Sequence, residues 1–159
     1  MQNKFAAFET IVRRASRFTD RSDESSTELH PFEARNIHPA LPSVVQDLFD
    51  NGHYAQATFE AFKFIENEVT RHSGASEYGK CLMMDAFSVA TPTIQLNSLA
   101  TPTERNEQEG FKFLFAGGVL AIRNPRGHKH DMLDDPDLCL DHLAFASMLL
   151  RRLADAGYR

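Results

Sequence analysis

Tryptophan is absent from this 159-residue chain, cysteine occurs only twice, and no stretch stays apolar for long. Two cysteines, Cys81 and Cys139, cannot build a disulfide framework, and both fall in apolar sequence, as expected of a protein kept in a reducing cytoplasm. The best apolar window, residues 111–122, is interrupted by Lys112, Gly117 and Gly118, so nothing approaches the roughly 18 apolar residues of a membrane span. The N-terminus MQNKFAAFETIVRR lacks both the apolar stretch and the small-residue cleavage site of a secretory signal. Positive charge is not in excess either. With 17 Lys and Arg against 22 Asp and Glu, the net charge is −5, which excludes coating of nucleic acid by bulk charge. Any nucleic-acid chemistry must rest on a local basic site. What is present, 42% hydrophobic and 10% aromatic residues, suffices for the core of one domain and is neither a disordered nor a fibrous composition.

Apolar Phe5, Phe8, Val12 and Ala15 share one face at helical spacing, and the polar run TDRSDESSTELH follows. This divides the chain into an N-terminal arm and linker, 1–35, and a body, 36–159. In the body, Val44, Val45, Leu48 and Phe49 form a short stripe that stops at Asn51-Gly52. Ala57, Ala61, Phe62, Ile65 and Val69 form the clearest amphipathic helix, stopping at Ser73-Gly74. A short helix is expected over 81–87, then an extended connector over 89–100. Thr101-Pro102-Thr103-Glu104 is a capping box with proline at the first helical position. The helix it starts should run through Phe111, Leu114, Phe115 and Ile122; the alternative, a hairpin turning at Gly117-Gly118, is disfavoured by that specific cap. The glycine pair should mark close approach of another helix. Asp135-Pro136 repeats the start signal for a last helix, over 136–156, apolar nearly all round between 138 and 150. These patterns predict an all-α bundle of about four to five helices. The glycine pair and the last helix also predict a homodimer, since they present more apolar surface than such a bundle easily hides.

Between the last two helices, Arg123-Asn124-Pro125-Arg126-Gly127-His128-Lys129-His130 packs three fixed cations and two imidazoles into eight residues. Pro125 should end the preceding helix near Asn124, leaving Arg123 at a helix end and His128 across a turn from it. Arginine offers a planar fork for phosphate oxygens, and histidine moves a proton near neutral pH. Such groups suffice to break RNA without a metal, because the 2′-hydroxyl is a built-in nucleophile. The spacing of Arg and His alone has no specificity, and a basic loop after a helix is also what dipole compensation produces.

The loop resembles the R-(x)4–6-H motif of HEPN domains, with Arg123, the polar Asn124, and His128, while His130 is also within range. The wider chain is similar to the Ymh-type subfamily. The stretches that carry the likeness are His38-Pro39, Asn51-Gly52-His53-Tyr54-Ala55, Gly110-Phe111 with Gly117, and Ile122 through Pro125 to His128. The resemblance implies a small helical bundle and a metal-independent endoribonuclease with no cofactor. It further implies action on RNA as a homodimer, in a toxin–antitoxin or phage-defence setting with an antitoxin or defence partner protein. It also implies Arg123, Asn124 and His128 as active-site residues; His130, Arg126 and Lys129 of the same basic segment are additional candidates. Gly127 stands where the family favours a slightly larger residue, often alanine. The alternative is a non-catalytic HEPN-like dimer that binds RNA, a nucleotide or a protein.

Other residues have plainer readings. A metal site through His128, His130 and Asp131 with Asp134, Asp135 or His142 lacks further support at ligand spacing. Asp131, Asp134, Asp135 and Asp137 read as charge balance for a helix start. Cys139 reads as a core residue, His53 as a local hydrogen-bonding residue, and His30 and His38 as loop residues. Arg35-Asn36-Ile37-His38 echoes the motif, but its histidine is too close.

Overall fold

A computed structural model describes residues 29–128 and 132–159, and among them every regular element is helical. In chain order these are α1 (Pro31–Ala34), α2 (Ser43–Asp50), α3 (Tyr54–Ser73), α4 (Gly79–Ala86) and α5 (Pro102–Gly117). A π-helical turn, Gly118–Arg123, continues α5 into α6 (Asn124–His128), and α7 (Pro136–Asp155) closes the bundle. The expected all-helical architecture is what the described residues adopt. The stripe of Phe5, Phe8, Val12 and Ala15 lies outside the described residues.

The bundle is arranged around α3, whose stripe of Ala57, Ala61, Phe62, Ile65 and Val69 is buried against α2, α4, α7 and the π turn. Each large apolar side chain buried here contributes about 1.5–3 kcal/mol relative to exposure. The capping box forms as expected: the Glu104 N–H donates to Thr101 Oγ1 and the Thr101 N–H to Glu104 Oε2. With this start fixed, residues 111–122 are helical and not a hairpin, and Phe115 stacks on Phe87 with ring centres 4.3 Å apart.

One expectation needs correction. The last helix is not apolar all round: Leu138, Asp141 and Met148 face solvent, while Leu140, Leu143, Ala146, Leu149, Leu150 and Leu153 are buried, with α3 as the main packing partner. Its apolar face is therefore covered within the chain. Cys81 is exposed, since it lies on the solvent side of the short α4, whereas Cys139 is buried as expected.

Gln108 had no signal in the hydrophobic pattern. It is fully buried; its carbonyl accepts from the Leu96 N–H at 2.9 Å and its amide donates to the Ile94 carbonyl at 2.8 Å. One amide thus satisfies backbone groups of the irregular connector that would otherwise be buried unpaired. Near the N-terminal end, Phe32 of α1 packs on Phe49, ring centres 5.3 Å apart.

Candidate functional site

The basic segment is positioned by the π turn and by two glycines packed on α3. A Cβ at Gly118 would lie 2.7 Å from Phe62 Cε1, and one at Gly127 would lie 2.9 Å from Phe59 Cε2. Glycine at both places lets the helical run lie tight against α3. The close approach expected of the Gly117-Gly118 pair belongs to Gly118 alone, because nothing lies within 4 Å of a Cβ at Gly117.

The helix does not stop before Pro125. Asn124 is helical (φ −61°, ψ −44°), its N–H donates to the Val119 carbonyl five residues back, and the helix runs on to His128. In a π turn the hydrogen bond spans one residue more than in an α turn, and the loosened ladder accommodates a proline that has no N–H and would clash in regular α geometry. His128 consequently sits exposed at the far end of a continuing helix instead of folding back across a turn.

Arg123 ends the π turn and lies over α3. Its guanidinium carbon is 5.3 Å from the centre of the Phe59 ring, and Nη2 is 3.4 Å from Glu66 Oε2. Nη1 donates to Asn124 Oδ1 at 3.2 Å, so the asparagine next in sequence orients the arginine. Glu66 is itself fixed: its other oxygen accepts the N–H of Gly79 at 2.5 Å, and Gly79 holds the left-handed conformation (φ +63°) that glycine favours. The Arg123 side chain is 28% exposed, and its buried Nε has no partner. A held guanidinium with part of its fork still open to solvent is suited to an anionic oxygen.

Arg126, counted among the additional candidates, has a different position. Its side chain is 4% exposed and makes a bidentate pair with Asp134 at 2.6 and 2.9 Å, while Nη1 donates to the Ile122 carbonyl. These contacts occupy the guanidinium, so it tethers the residues before α7 and does not present itself to a ligand. Lys129, His130 and Asp131 lie outside the described residues. Among the described residues, Arg123 has Glu66 and Asn124 as polar partners, and His128 is not joined to it.

The acidic residues behave as helix-start groups and as one buried partner: Asp135 Oδ1 accepts from the Leu138 N–H at 2.8 Å, and Asp134 holds Arg126. Among the described residues, no three His, Cys, Asp or Glu side chains gather as metal ligands would. Burial pushes the Cys139 thiol up, away from the reactive thiolate, despite the Thr58 hydroxyl 3.5 Å from its sulfur. Burial, then the Arg126 charge, lowers the pKa of His142; burial, then Arg151, does the same to His38. His30 pairs with Asp50 at 2.8 Å, and His53 precedes α3 without a side-chain capping bond.

Pattern reading missed Glu66 and Phe59, the two α3 residues that hold Arg123. Glu66 did carry a signal, being a carboxylate inside the apolar stripe of Phe62, Ile65 and Val69. Phe59 carried none. A groove of about 310 Å³ adjoins Arg126 and Asp134 and is lined by Gly52, His53, Tyr54 and Ala55, so two stretches singled out in the sequence meet in space.

The fold and site thus define a small helical bundle that presents a semi-exposed arginine from a π turn. A family model described as a protein of unknown function, Hypoth_Ymh, matches residues 35–153, and the chain belongs to that family. No curated protein and no solved structure matches the chain.

Proposed function

We propose that this chain is a HEPN-type endoribonuclease that cuts RNA without a metal or other cofactor. The observation that carries the reading is the setting of Arg123: an arginine oriented by Asn124, seated on Phe59 and Glu66, and open to solvent at a π turn, an irregularity frequent at functional sites. Arg123 would hold the scissile phosphate and stabilise its developing charge. His128 would act as general base on the 2′-hydroxyl or general acid on the departing 5′-oxygen. Asn124 would keep the arginine aimed. The products are a 2′,3′-cyclic phosphate and a 5′-hydroxyl.

The working unit would be a homodimer in which two such helix ends face one cleft. Exposed Phe113, Leu114 and Leu120, on the helical run that leads to Arg123, support a surface for the second copy. A toxin–antitoxin or phage-defence setting, with a protein partner that restrains cutting, suits an enzyme of this kind.

A second reading, a non-catalytic dimer that binds RNA, a nucleotide or a protein, is favoured by the net charge of −5 and by the loss of Arg126 to Asp134. Total RNA incubated with the purified chain in excess EDTA separates the two. The nuclease cuts, and His128→Ala slows it by about 10²–10⁴ with the fold intact, while His130→Ala retains most activity. RNA binding without cutting establishes the second reading. Inactivity of His130→Ala with activity of His128→Ala would transfer the acid–base role. Activity lost in EDTA and restored by zinc or manganese would replace the mechanism with a metal site at His128, His130 and Asp131.

A further inference from the structure

The C-terminal halves of α3 and α7 border a groove of about 410 Å³, lined by Phe64, Leu150, Leu153, Ala154 and Tyr158 together with Glu68. At 3.6 residues per turn, Phe64 and Glu68 lie about half a turn round α3 from Phe59 and Glu66. The groove is thus on the side of α3 away from Arg123, and nothing in the proposed cleavage uses it.

We propose that residues 1–18 of this same chain cover the groove, seating Phe5, Phe8 and Val12 against the half-exposed Phe64, Ala154 and Tyr158. Three observations select this occupant. First, the pattern fits: Phe5, Phe8, Val12 and Ala15 recur at helical spacing, and a solitary helix of that length is marginal in water unless its apolar face is covered. Second, the chain reaches. Residues 19–29 span up to about 36–40 Å when extended, more than the roughly 30 Å length of a 20-residue helix such as α7. The segment after α1 runs beside the groove, with His38 and Ala40 on its edge and the His38 N–H donating to Ser147 of α7. Third, charge matches. Residues 1–18 carry four Lys and Arg against one Glu, whereas residues 31–159 carry twelve basic against seventeen acidic side chains; the match is one of net charge, since in the groove itself Glu68 is paired with Arg71 and Arg159 lies in the lining.

Hydrogen exchange on the full chain tests this without reference to RNA. Two variants are compared with the wild type: Phe8→Asp with Val12→Asp in the arm, and Ala154→Arg, which fills the groove from a half-exposed position on a helix surface. The wild type should show amides in residues 2–15 exchanging about tenfold or more slowly than in a free peptide. Both variants should lose that protection while α3 and α5 keep theirs, and the arm variant should exchange faster around Leu150–Tyr158. Free-peptide exchange of the arm in the wild type would overturn the proposal, and so would an arm still protected in Ala154→Arg. Protection that disappears on dilution belongs to a second copy lying on the groove, which also overturns docking within one chain.

Discussion

Arg123 and Arg126 stand three residues apart on one helical run, in one basic segment, and differ completely in what surrounds them. Arg126 has its donors taken by Asp134 and the Ile122 carbonyl, with almost no exposed surface. Arg123 is gripped on one side by Glu66 and Asn124 and leaves about a quarter of its side chain to solvent. The first is part of the architecture. The second is oriented but not consumed, which is the condition for binding an anion. The difference follows from the direction each side chain takes: Arg123, at the end of the π turn, lies over α3, and Arg126, in α6, points toward the residues preceding α7. Residue type and spacing carry no trace of it.

The contrast predicts that the two arginines fail in different assays. The largest effect expected is on cleavage by Arg123→Ala, a loss of about 10²–10⁴ in rate or more, measured on RNA in EDTA. Its melting temperature should fall less than that of Arg126→Ala. Arg126→Ala leaves Asp134 charged, buried and unpaired, and should cost about 3–5 kcal/mol in urea unfolding. Replacing both partners, Arg126→Met with Asp134→Leu, should recover most of that stability and keep cleavage. An inactive, well-folded double variant would show that Arg126 takes part in the chemistry and would end the contrast.

A smaller effect separates the neighbouring glycines. Gly118→Ala drives a methyl into Phe62 and should cost about 1–3 kcal/mol, whereas Gly117→Ala meets open space and should be neutral or stabilising by up to about 1 kcal/mol. Equal unfolding midpoints for the two variants would contradict the packing of the π turn.

The smallest effect is on the pH dependence of stability. His142 lies near Arg126, Asp134 and Asp141, and its folded pKa is held below the ordinary 6.5, first by burial and then by Arg126. A folded pKa below the unfolded one means the unfolded chain binds the proton more readily. The stabilisation is therefore complete above pH 6.5 and is lost as pH falls below it. His38, lowered by burial and Arg151, acts in the same sense. The melting temperature should decline between about pH 7.5 and about pH 5.5, and His142→Gln with His38→Gln should flatten that slope. An unchanged slope would remove both histidines from the account.

How far pattern reading reaches is clear from particular residues. The capping box at Thr101 and Glu104, the cap at Asp135 and the stripe of α3 were legible because they rest on contacts three or four residues apart along the chain. Pro125 misled for the same local reason: the rule that a helix ends before proline assumes an α ladder, and the π turn removes that assumption. Gln108 was illegible because a polar residue gives no sign of backbone partners twelve or more residues away, and Asp134 because nothing in the eight residues that separate it from Arg126 shows which way the chain turns.

By itself, then, the sequence determined the helical class, the principal helix starts and stops, the face of α3 that is buried, and the segment where cations and imidazoles concentrate. These depend on propensity, capping and periodicity, which act over one or two turns. Only the tertiary structure decided that the helix passes through Pro125, that Gly118 and not Gly117 is the close contact, that Arg126 is spent on Asp134, and that Glu66 and Phe59 hold Arg123 in view of solvent. Each of those depends on how separate elements are brought within a few ångströms of one another, and burial then fixes whether a charged side chain is spent on a partner or left open to solvent.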